Sequence, residues 1–225
     1  MDQPDLEPAR HVAALDALAR VNAVSLSAGR VWTEIERLHR RGVDPVRVLD
    51  VACGGGDVLH AIARRAIKSG TGVELHGCDM SSTALDRARA RGGDALGVTF
   101  HELDALRDPV PSGYDVLCSS LFLHHLTREA AIHLLESLAT AARGVLLVQD
   151  LRRTRLGYLY AWIGLGVLTR SDVARHDGLI SVAAAFTLNE ARALCRAAGI
   201  EGAELHACWP QRFTLRWERA ICDET

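Results

Sequence analysis

The sequence predicts a doubly wound α/β fold, in which one sheet of seven strands is covered by helices on both faces. From Val46 onward, short apolar runs that end in Gly, Asp or Ser alternate with amphipathic segments, as in successive βαβ units of a parallel sheet. The 225 residues are 48% hydrophobic and 24% charged, a composition that allows one large core to form. We therefore expect a single domain over residues 1–225.

The individual elements are predicted in chain order from the period of the apolar residues. Helical spacing over residues 9–42, interrupted near Gly29, predicts two helices within an N-terminal segment, residues 1–44. Parallel strands and the helices between them then form a core over residues 45–150. The strands are predicted at 46–51, 73–78, 98–103, 115–119 and 144–149, and the helices at 57–68, 82–91 and 128–142.

The remainder of the chain departs from the βα alternation. Residues 151–186 are rich in Arg, Tyr, Trp and Leu and fit no βα unit, so we expect a helical insertion there. Residues 187–225 close the fold with a last helix and a strand pair. These elements are predicted at 189–198, 202–208 and 212–218.

Charge, cysteines and hydropathy restrict the class of protein. The 26 basic and 28 acidic side chains give a net charge of −2, which provides no overall positive field for a nucleic acid. The six cysteines are scattered and form no C-x-x-C pair, so we expect free thiols in a reducing compartment, and no secretory signal is visible. The apolar stretch at 156–168 is shorter than the ~17–25 residues that span a bilayer. A cytoplasmic location without a membrane span is expected.

A glycine-rich loop follows the first predicted strand. Gly54, Gly55 and Gly56 allow a tight turn from strand to helix and a close approach of a ligand to the backbone. The dinucleotide pattern G-x-G-x-x-G is not met, because Leu59 stands at its third glycine, and no G-K-[ST] follows. A phosphate ligand is therefore disfavoured, although a plain strand-to-helix turn also fits this pattern.

Carboxylates gather at the predicted strand ends. Asp50 and Asp57 flank the glycine loop, where they would repel a pyrophosphate but suit an ammonium or sulfonium group, both of which S-adenosylmethionine carries. Asp57 can equally be a helix N-cap. Asp79 and Asp104 follow the next two strands, at positions suited to ribose hydroxyls and an adenine amino group. A ligand at the carboxyl edge of the sheet explains this recurrence better than isolated turn residues do.

The ordered motifs resemble those of the class I S-adenosylmethionine-dependent methyltransferases, which have a Rossmann-like fold. The matching runs are VLDVACGGGD at 48–57, GCDMS at 77–81, ELDA at 102–105 and YDVLCSSLFLHHL at 114–126. The resemblance implies that S-adenosylmethionine is the cofactor and assigns a part of it to each motif. The implied contacts are Asp50, Gly54 and Gly56 to the methionine part, Asp79 to the ribose, Met80, Asp104 and Ala105 to the adenine, and Ser120 near the transferred methyl group.

The segment after the fourth strand indicates the class of acceptor. Cys118 to Phe122 stand where nucleic-acid amino methyltransferases of this class carry Asn/Asp-Pro-Pro-aromatic, and the carboxylate pair of polyamine synthases is missing as well. A metal-dependent catechol-type site needs several oxygen ligands, of which only Asp150 is evident, so no metal is expected. These departures favour a hydrophobic small molecule and disfavour a nucleic acid.

His124, His125 and Asp150 are the candidate catalytic residues. An imidazole is suited to take a proton from a hydroxyl group near neutral pH, and a carboxylate beside it can orient the ring and stabilise its cation. The arrangement resembles small-molecule O-methyltransferases that tailor natural products. We predict His124 as the base, with His125 as the alternative, although both histidines could simply cap a helix or border the core.

Segments outside the core supply candidate substrate and cofactor contacts. Tyr158 and Trp162 in the insertion would form part of a hydrophobic lid over the acceptor, and His176 is a further substrate contact. Ordinary helix packing explains the two aromatic residues equally well. Arg30, in the N-terminal helices, is a candidate partner for the cofactor carboxylate.

The sequence therefore predicts methyl transfer from S-adenosylmethionine to a hydroxyl oxygen of a phenolic, polyketide or quinone-like small molecule. Three alternatives stay open. A carbon acceptor would use the same base, a nucleotide-dependent oxidoreductase is opposed by Leu59 and the acidic loop, and a methyltransferase-like protein could bind the cofactor without turnover.

Overall fold

The computed structural model describes residues 27–157 and 180–219, which form a seven-stranded sheet flanked by helices. The strands are β1 Val46–Val51, β2 Val73–Asp79, β3 Val98–Glu102, β4 Val116–Ser120, β5 Val145–Leu151, β6 Glu204–Cys208 and β7 Arg212–Glu218. Their order is β3-β2-β1-β4-β5-β7-β6. Strands β1 to β5 are parallel, and β7 runs antiparallel to both of its neighbours. This architecture confirms the predicted fold class.

The helices lie at or near their predicted positions. They are α1 Ser27–Arg40, α2 Asp57–Ser69, α3 Ser82–Ala88, α4 Arg128–Ala141 and α5 Leu188–Ala197. The helix predicted at 82–91 ends at Ala88, because the next five residues form a π-helical turn in which Gly92 has a φ of 101°. Thr127 and Thr187 cap α4 and α5 with their hydroxyl groups, which explains why these helices begin where they do.

Two apolar layers hold the helices against the sheet. One layer packs α1 and α2 on β1 and β2, with Val31, Ile35 and Ile62 among its buried members. The other packs α4 and α5 on β4, β5 and β7. Residues of β1, β4 and β5 are buried on both faces of the sheet, as expected for the central strands of a doubly wound fold.

The segments outside the core are described only in part. In the N-terminal segment, α1 begins at Ser27 and includes Gly29, so the second of the two helices predicted there is present. A parallel bridge from Arg152 to Phe186 joins the two ends of the insertion. Residues 1–26 and 158–179, which carry the first predicted helix and most of the expected lid, lie outside the described residues. In the ranges 27–157 and 180–219, no helix has the length and apolar character required to cross a membrane.

Candidate active site

The strand order reverses between β1 and β4, and the candidate residues gather at the carboxyl ends of these strands and their neighbours. Chain segments leave β1 and β4 toward opposite faces of the sheet, which opens a crevice at this edge. Asp50, Asp79 and Asp150 lie at the ends of β1, β2 and β5. The crevice is where ligands of open α/β sheets bind.

The glycine loop has one residue that faces open space and one that faces the core. Gly54 has a φ of 53°, and a Cβ atom built there would meet nothing within 4 Å. Gly56 has a φ of 71° and is the N-cap of α2, and a Cβ atom there would lie 2.8 Å from Cζ of Phe100. Gly54 thus leaves room for a ligand above the loop, whereas Gly56 is required by the packing beneath it.

Asp79 fastens this loop to β2. One carboxylate oxygen accepts a hydrogen bond from the backbone N–H of Gly54 at 2.8 Å, and the other accepts one from Ser81 at 2.9 Å. The side chain is partly exposed at the rim of the crevice. It therefore holds the loop in shape at the end of β2.

Asp50 is buried and Asp57 is paired with an arginine. Asp50 is buried below the loop, where its carboxyl accepts a hydrogen bond from the Cys118 thiol, and burial raises the pKa of Asp50 to about 7. The N-cap interpretation of Asp57 is wrong, since Gly56 occupies that position and Asp57 forms an ion pair with Arg91. The negative charge predicted around the loop is therefore partly neutralised by protonation and pairing.

The candidate adenine contacts surround a turn after β3. The side chain of Met80 is 66% exposed, which leaves it available to a flat ligand. Asp104 accepts a hydrogen bond from the N–H of Leu106 at 3.0 Å and thereby forms the turn, in which Ala105 is buried. Asp104 consequently has a structural role whether or not it also meets an adenine.

His124 and Asp150 form a buried pair. Asp150 Oδ1 lies 2.6 Å from His124 Nδ1, and Asp150 Oδ2 accepts a hydrogen bond from the His124 backbone N–H at 2.9 Å. His124 is 6% exposed and lies in the short 3-10 turn Leu123–His125 that follows β4. A carboxylate can only accept hydrogen bonds, so Nδ1 of His124 carries the proton and the Nε2 lone pair is left for a proton acceptor role. The ring of His125 lies 4.1 Å away, centroid to centroid, and tilted by 38°.

Polar groups also collect on the opposite face of the sheet, beneath α1. Ser120 Oγ and Arg30 Nε are buried without a hydrogen-bond partner in the described part of the chain. Arg30 is partly buried rather than exposed, and it lies near Arg212, which the sequence analysis did not single out. Arg212 is 2% exposed. The signal in the sequence was an arginine at the first position of the closing strand, beside the apolar Phe213.

The arrangement fits S-adenosylmethionine. The space above Gly54 admits the ligand backbone, and the unpartnered Ser120 Oγ and Arg30 Nε offer hydrogen-bond groups toward an amino acid moiety. Tyr158, Trp162 and His176, the predicted substrate contacts, lie outside the described residues.

Comparisons with known proteins identify the family. The sequence pattern of the family described as "Methyltransferase domain" matches residues 48–143. The ubiquinone biosynthesis O-methyltransferase of Ralstonia nicotianae is 30% identical over 177 residues, which cover 76% of this chain and 69% of that protein. The chain belongs to the class I S-adenosylmethionine-dependent methyltransferases.

Further relatives resemble this methyltransferase over shorter stretches. The ubiquinone biosynthesis O-methyltransferase of Psychrobacter arcticus is 28% identical over 68% of this chain and 60% of that protein. The demethylmenaquinone methyltransferase of Deinococcus radiodurans is 39% identical over 43% of this chain and 38% of that protein. The methyltransferase thus spans 60% of the length of the first of these two relatives and 38% of the second.

A solved structure shows the same fold over almost the full length. The S-adenosylmethionine-dependent methyltransferase of Aquifex aeolicus superposes with a TM-score of 0.64 at 15% identity and covers 95% of this chain and 99% of that one. At this identity the similarity establishes the fold, and the roles of individual residues rest on the geometry described above.

Proposed function

We propose that this methyltransferase transfers the methyl group of S-adenosylmethionine to a hydroxyl oxygen of a hydrophobic small molecule, of phenolic, polyketide or quinone-like type, with His124 as the general base. The observation that carries the proposal is the buried contact of 2.6 Å between His124 Nδ1 and Asp150 Oδ1 at the end of β5. It leaves Nε2 of His124 as a proton acceptor at the edge of the crevice.

His124 and Asp150 have different parts in the proposed transfer. S-adenosylmethionine supplies a methyl group activated on a sulfonium. As the acceptor oxygen forms its bond to that methyl carbon and the carbon–sulfur bond breaks, the hydroxyl proton passes to Nε2 of His124. Asp150 stabilises the resulting imidazolium and keeps the ring aligned. Positioning of the acceptor and exclusion of water supply much of the remaining rate.

The cofactor is proposed to lie along the loop and the strand ends. Asp50, Gly54 and Gly56 border its methionine part, with the backbone at Gly54 closest to it. Asp79 binds the ribose, Met80, Asp104 and Ala105 contact the adenine, and Ser120 and Arg30 face the amino acid end. Tyr158, Trp162 and His176 are proposed to cover the acceptor.

The names of two relatives support a small-molecule acceptor. The relatives from Ralstonia and Psychrobacter are named ubiquinone biosynthesis O-methyltransferases, which favours an oxygen acceptor.

We also propose a cytoplasmic location, because Cys53, Cys78, Cys118, Cys195 and Cys208 are free thiols, as is usual in a reducing compartment.

The decisive experiment is an incubation of the protein with ¹³C-methyl-labelled S-adenosylmethionine and a panel of phenols, polyketides and quinols, followed by mass spectrometry and NMR. We expect a product heavier by one labelled methyl group, with the ¹³C chemical shift of a methoxy group. A carbon-bound methyl signal would replace the oxygen acceptor by a carbon acceptor. Binding of the cofactor without any labelled product from the panel or from an extract of the source cells would contradict an enzymatic role.

A further inference from the structure

Two arginines, Arg30 of α1 and Arg212 of β7, lie near each other, and neither forms an ion pair with a carboxylate within residues 27–157 and 180–219. Arg30 lies close enough to Arg212 for its charge to disfavour the charged form of Arg212, and both have a buried Nε without a hydrogen-bond partner in residues 27–157 and 180–219. Nη1 of Arg212 donates a hydrogen bond to a neutral group, Ser27 Oγ, at 3.4 Å. Burial lowers the pKa of Arg212 to about 10.

The nearby carboxylate does not satisfy these two cations. Asp150 lies near enough to Arg212 to favour its charged form, but its oxygens are occupied by the ring and the backbone of His124 and by the N–H of Leu151. Buried guanidinium groups that lack a paired anion are costly, and proteins keep them where a ligand supplies the anion. Two arginines lie here, whereas the amino acid end of the cofactor carries only one carboxylate. The second arginine therefore has room for an anion from another molecule.

The strand order places Arg212 two strands away from Ser120. Arg212 pairs with Leu151, the residue after Asp150, at the carboxyl end of β5. Ser120 pairs with Gln149 one strand closer to the glycine loop. The order of the strands therefore puts Ser120 at the end of β4, one strand from the glycine loop, and Arg212 two strands farther along, beside the end of β5 that carries Asp150. Because Arg212 pairs with Leu151 and successive residues of a strand point to opposite faces, the side chain of Arg212 lies on the α1 face of the sheet and that of Asp150 on the other face.

We infer that Arg212 binds a carboxylate of the methyl acceptor, while Arg30 and Ser120 serve the carboxylate of the cofactor. A guanidinium offers two parallel N–H donors that match a planar carboxylate, which fixes the orientation of the bound molecule as well as its charge. An acid group held at Arg212 would direct the rest of an aromatic acceptor toward Nε2 of His124. The inference rests on the proposed function and names the class of its substrate as an acid.

The first experiment compares benzoate with its neutral analogue benzamide by calorimetric titration of the protein saturated with S-adenosylhomocysteine. We expect the wild type to bind benzoate at least about tenfold more tightly than benzamide, and Arg212→Met to lose this preference, since a tenfold ratio corresponds to one charge-assisted contact. Arg196→Met, at an exposed arginine of α5, is the matched control and should keep the preference. Equal binding of the two compounds by the wild type would overturn the inference without any variant.

A second comparison separates the two sources of a carboxylate. S-adenosylhomocysteine and methylthioadenosine share the nucleoside, but only the first has a carboxylate. Arg30→Met should reduce the ratio of their affinities, whereas Arg212→Met should leave it unchanged. If Arg212→Met reduces this ratio as strongly, the carboxylate at Arg212 is that of the cofactor and the acceptor assignment is wrong.

The same measurements distinguish this inference from the proposed function. A benzoate preference that depends on Arg212, in a protein that transfers no methyl group, would support the acid site and contradict the enzyme. Methylated products without an acid group, together with no benzoate preference, would support the enzyme and contradict the acid site. Should Arg212→Met fail to fold, Arg212→Lys, which keeps the charge but loses the paired donors, should show a weakened benzoate preference.

Discussion

At the residue scale, the two ring nitrogens of His124 differ: Nδ1 lies 2.6 Å from Asp150 Oδ1, and Nε2 has no hydrogen-bond partner within residues 27–157 and 180–219. His124→Asn keeps an amide N–H near the position of Nδ1 but removes the base, so turnover should fall by about 10²- to 10⁴-fold while S-adenosylhomocysteine still binds. Steady-state kinetics and calorimetry measure the two effects.

His133→Asn is the control for this prediction. His133 is an exposed histidine of α4, and its replacement should change neither turnover nor binding. Wild-type turnover in His124→Asn would show that positioning alone suffices for transfer. Loss of turnover only in His125→Asn would move the base to that residue.

Asp50 links the loop to the pH dependence of stability. Burial raises its pKa to about 7 from an ordinary value of 3.8, so the folded protein holds this proton over a pH range in which the unfolded chain has released it. The stabilisation is fully present below pH 3.8 and is lost as the pH rises through about 7.

Asp50→Asn should remove this dependence, because an amide is neutral at both pH values. Between pH 5 and pH 8.5, the unfolding free energy of the variant relative to wild type should rise by roughly 3 kcal/mol. Urea denaturation at the two pH values provides the measurement. Asp86→Asn, at an exposed acid of α3, should give a constant difference, and a constant difference for Asp50→Asn would mean that Asp50 is ionised when folded.

At the scale of elements, the glycine loop needs Gly54 and Gly56 for different reasons, the first for ligand access and the second for packing. Gly54→Ala should cost about 1 kcal/mol of stability for a φ of 53° and abolish cofactor binding, because the methyl group enters the open space above the loop. Gly56→Ala should destabilise the fold by several times as much, because its Cβ also meets Phe100 at 2.8 Å. Thermal denaturation and titration with S-adenosylhomocysteine distinguish the two.

Gly199→Ala provides the matched control for the loop. Gly199 has a φ of 66° and open space around its Cβ position, but it follows α5 and lies away from the crevice. The variant should show the same loss of stability as Gly54→Ala and normal binding. Retained binding in Gly54→Ala would move the cofactor away from this loop.

For the whole molecule, the reversal of strand order between β1 and β4 makes one crevice that holds both the cofactor and the base. A ligand bound there stabilises the native state by mass action, by about 2.7 kcal/mol at 100 times its Kd. In a domain of this size, that corresponds to a rise in Tm of roughly 5–10 °C.

S-adenosylhomocysteine should therefore raise the Tm, and NADH should not. Asp79→Asn should remove most of the shift, because Asp79 both holds the loop at Gly54 and faces the ribose. Differential scanning fluorimetry is sufficient for the comparison. A shift with NADH alone would favour the oxidoreductase alternative over methyl transfer.

Local sequence determined the order and type of the elements in this protein. Apolar residues that recur every two residues specify a strand and those that recur every 3.6 residues specify a helix, and a cap such as Thr187 fixes where a helix begins. All of these signals lie within a few residues of each other. The acidic strand ends and His124 were predictable for the same reason, since strand ends in a parallel sheet share one edge. The second helix predicted before β1 is α1, and its apolar residues pack on the sheet.

Only the tertiary structure decided which polar groups pair and which remain unpaired. Asp57 forms an ion pair with Arg91, which is 34 positions further along the chain. Arg212 lies near Arg30 because β7 pairs with β5. Burial and the distance between charges depend on contacts between remote segments, and a pattern of neighbouring residues carries no information about them. The same dependence explains why Asp50, which a sequence pattern treats as a charge, is a largely protonated group beneath the loop at mildly acidic pH.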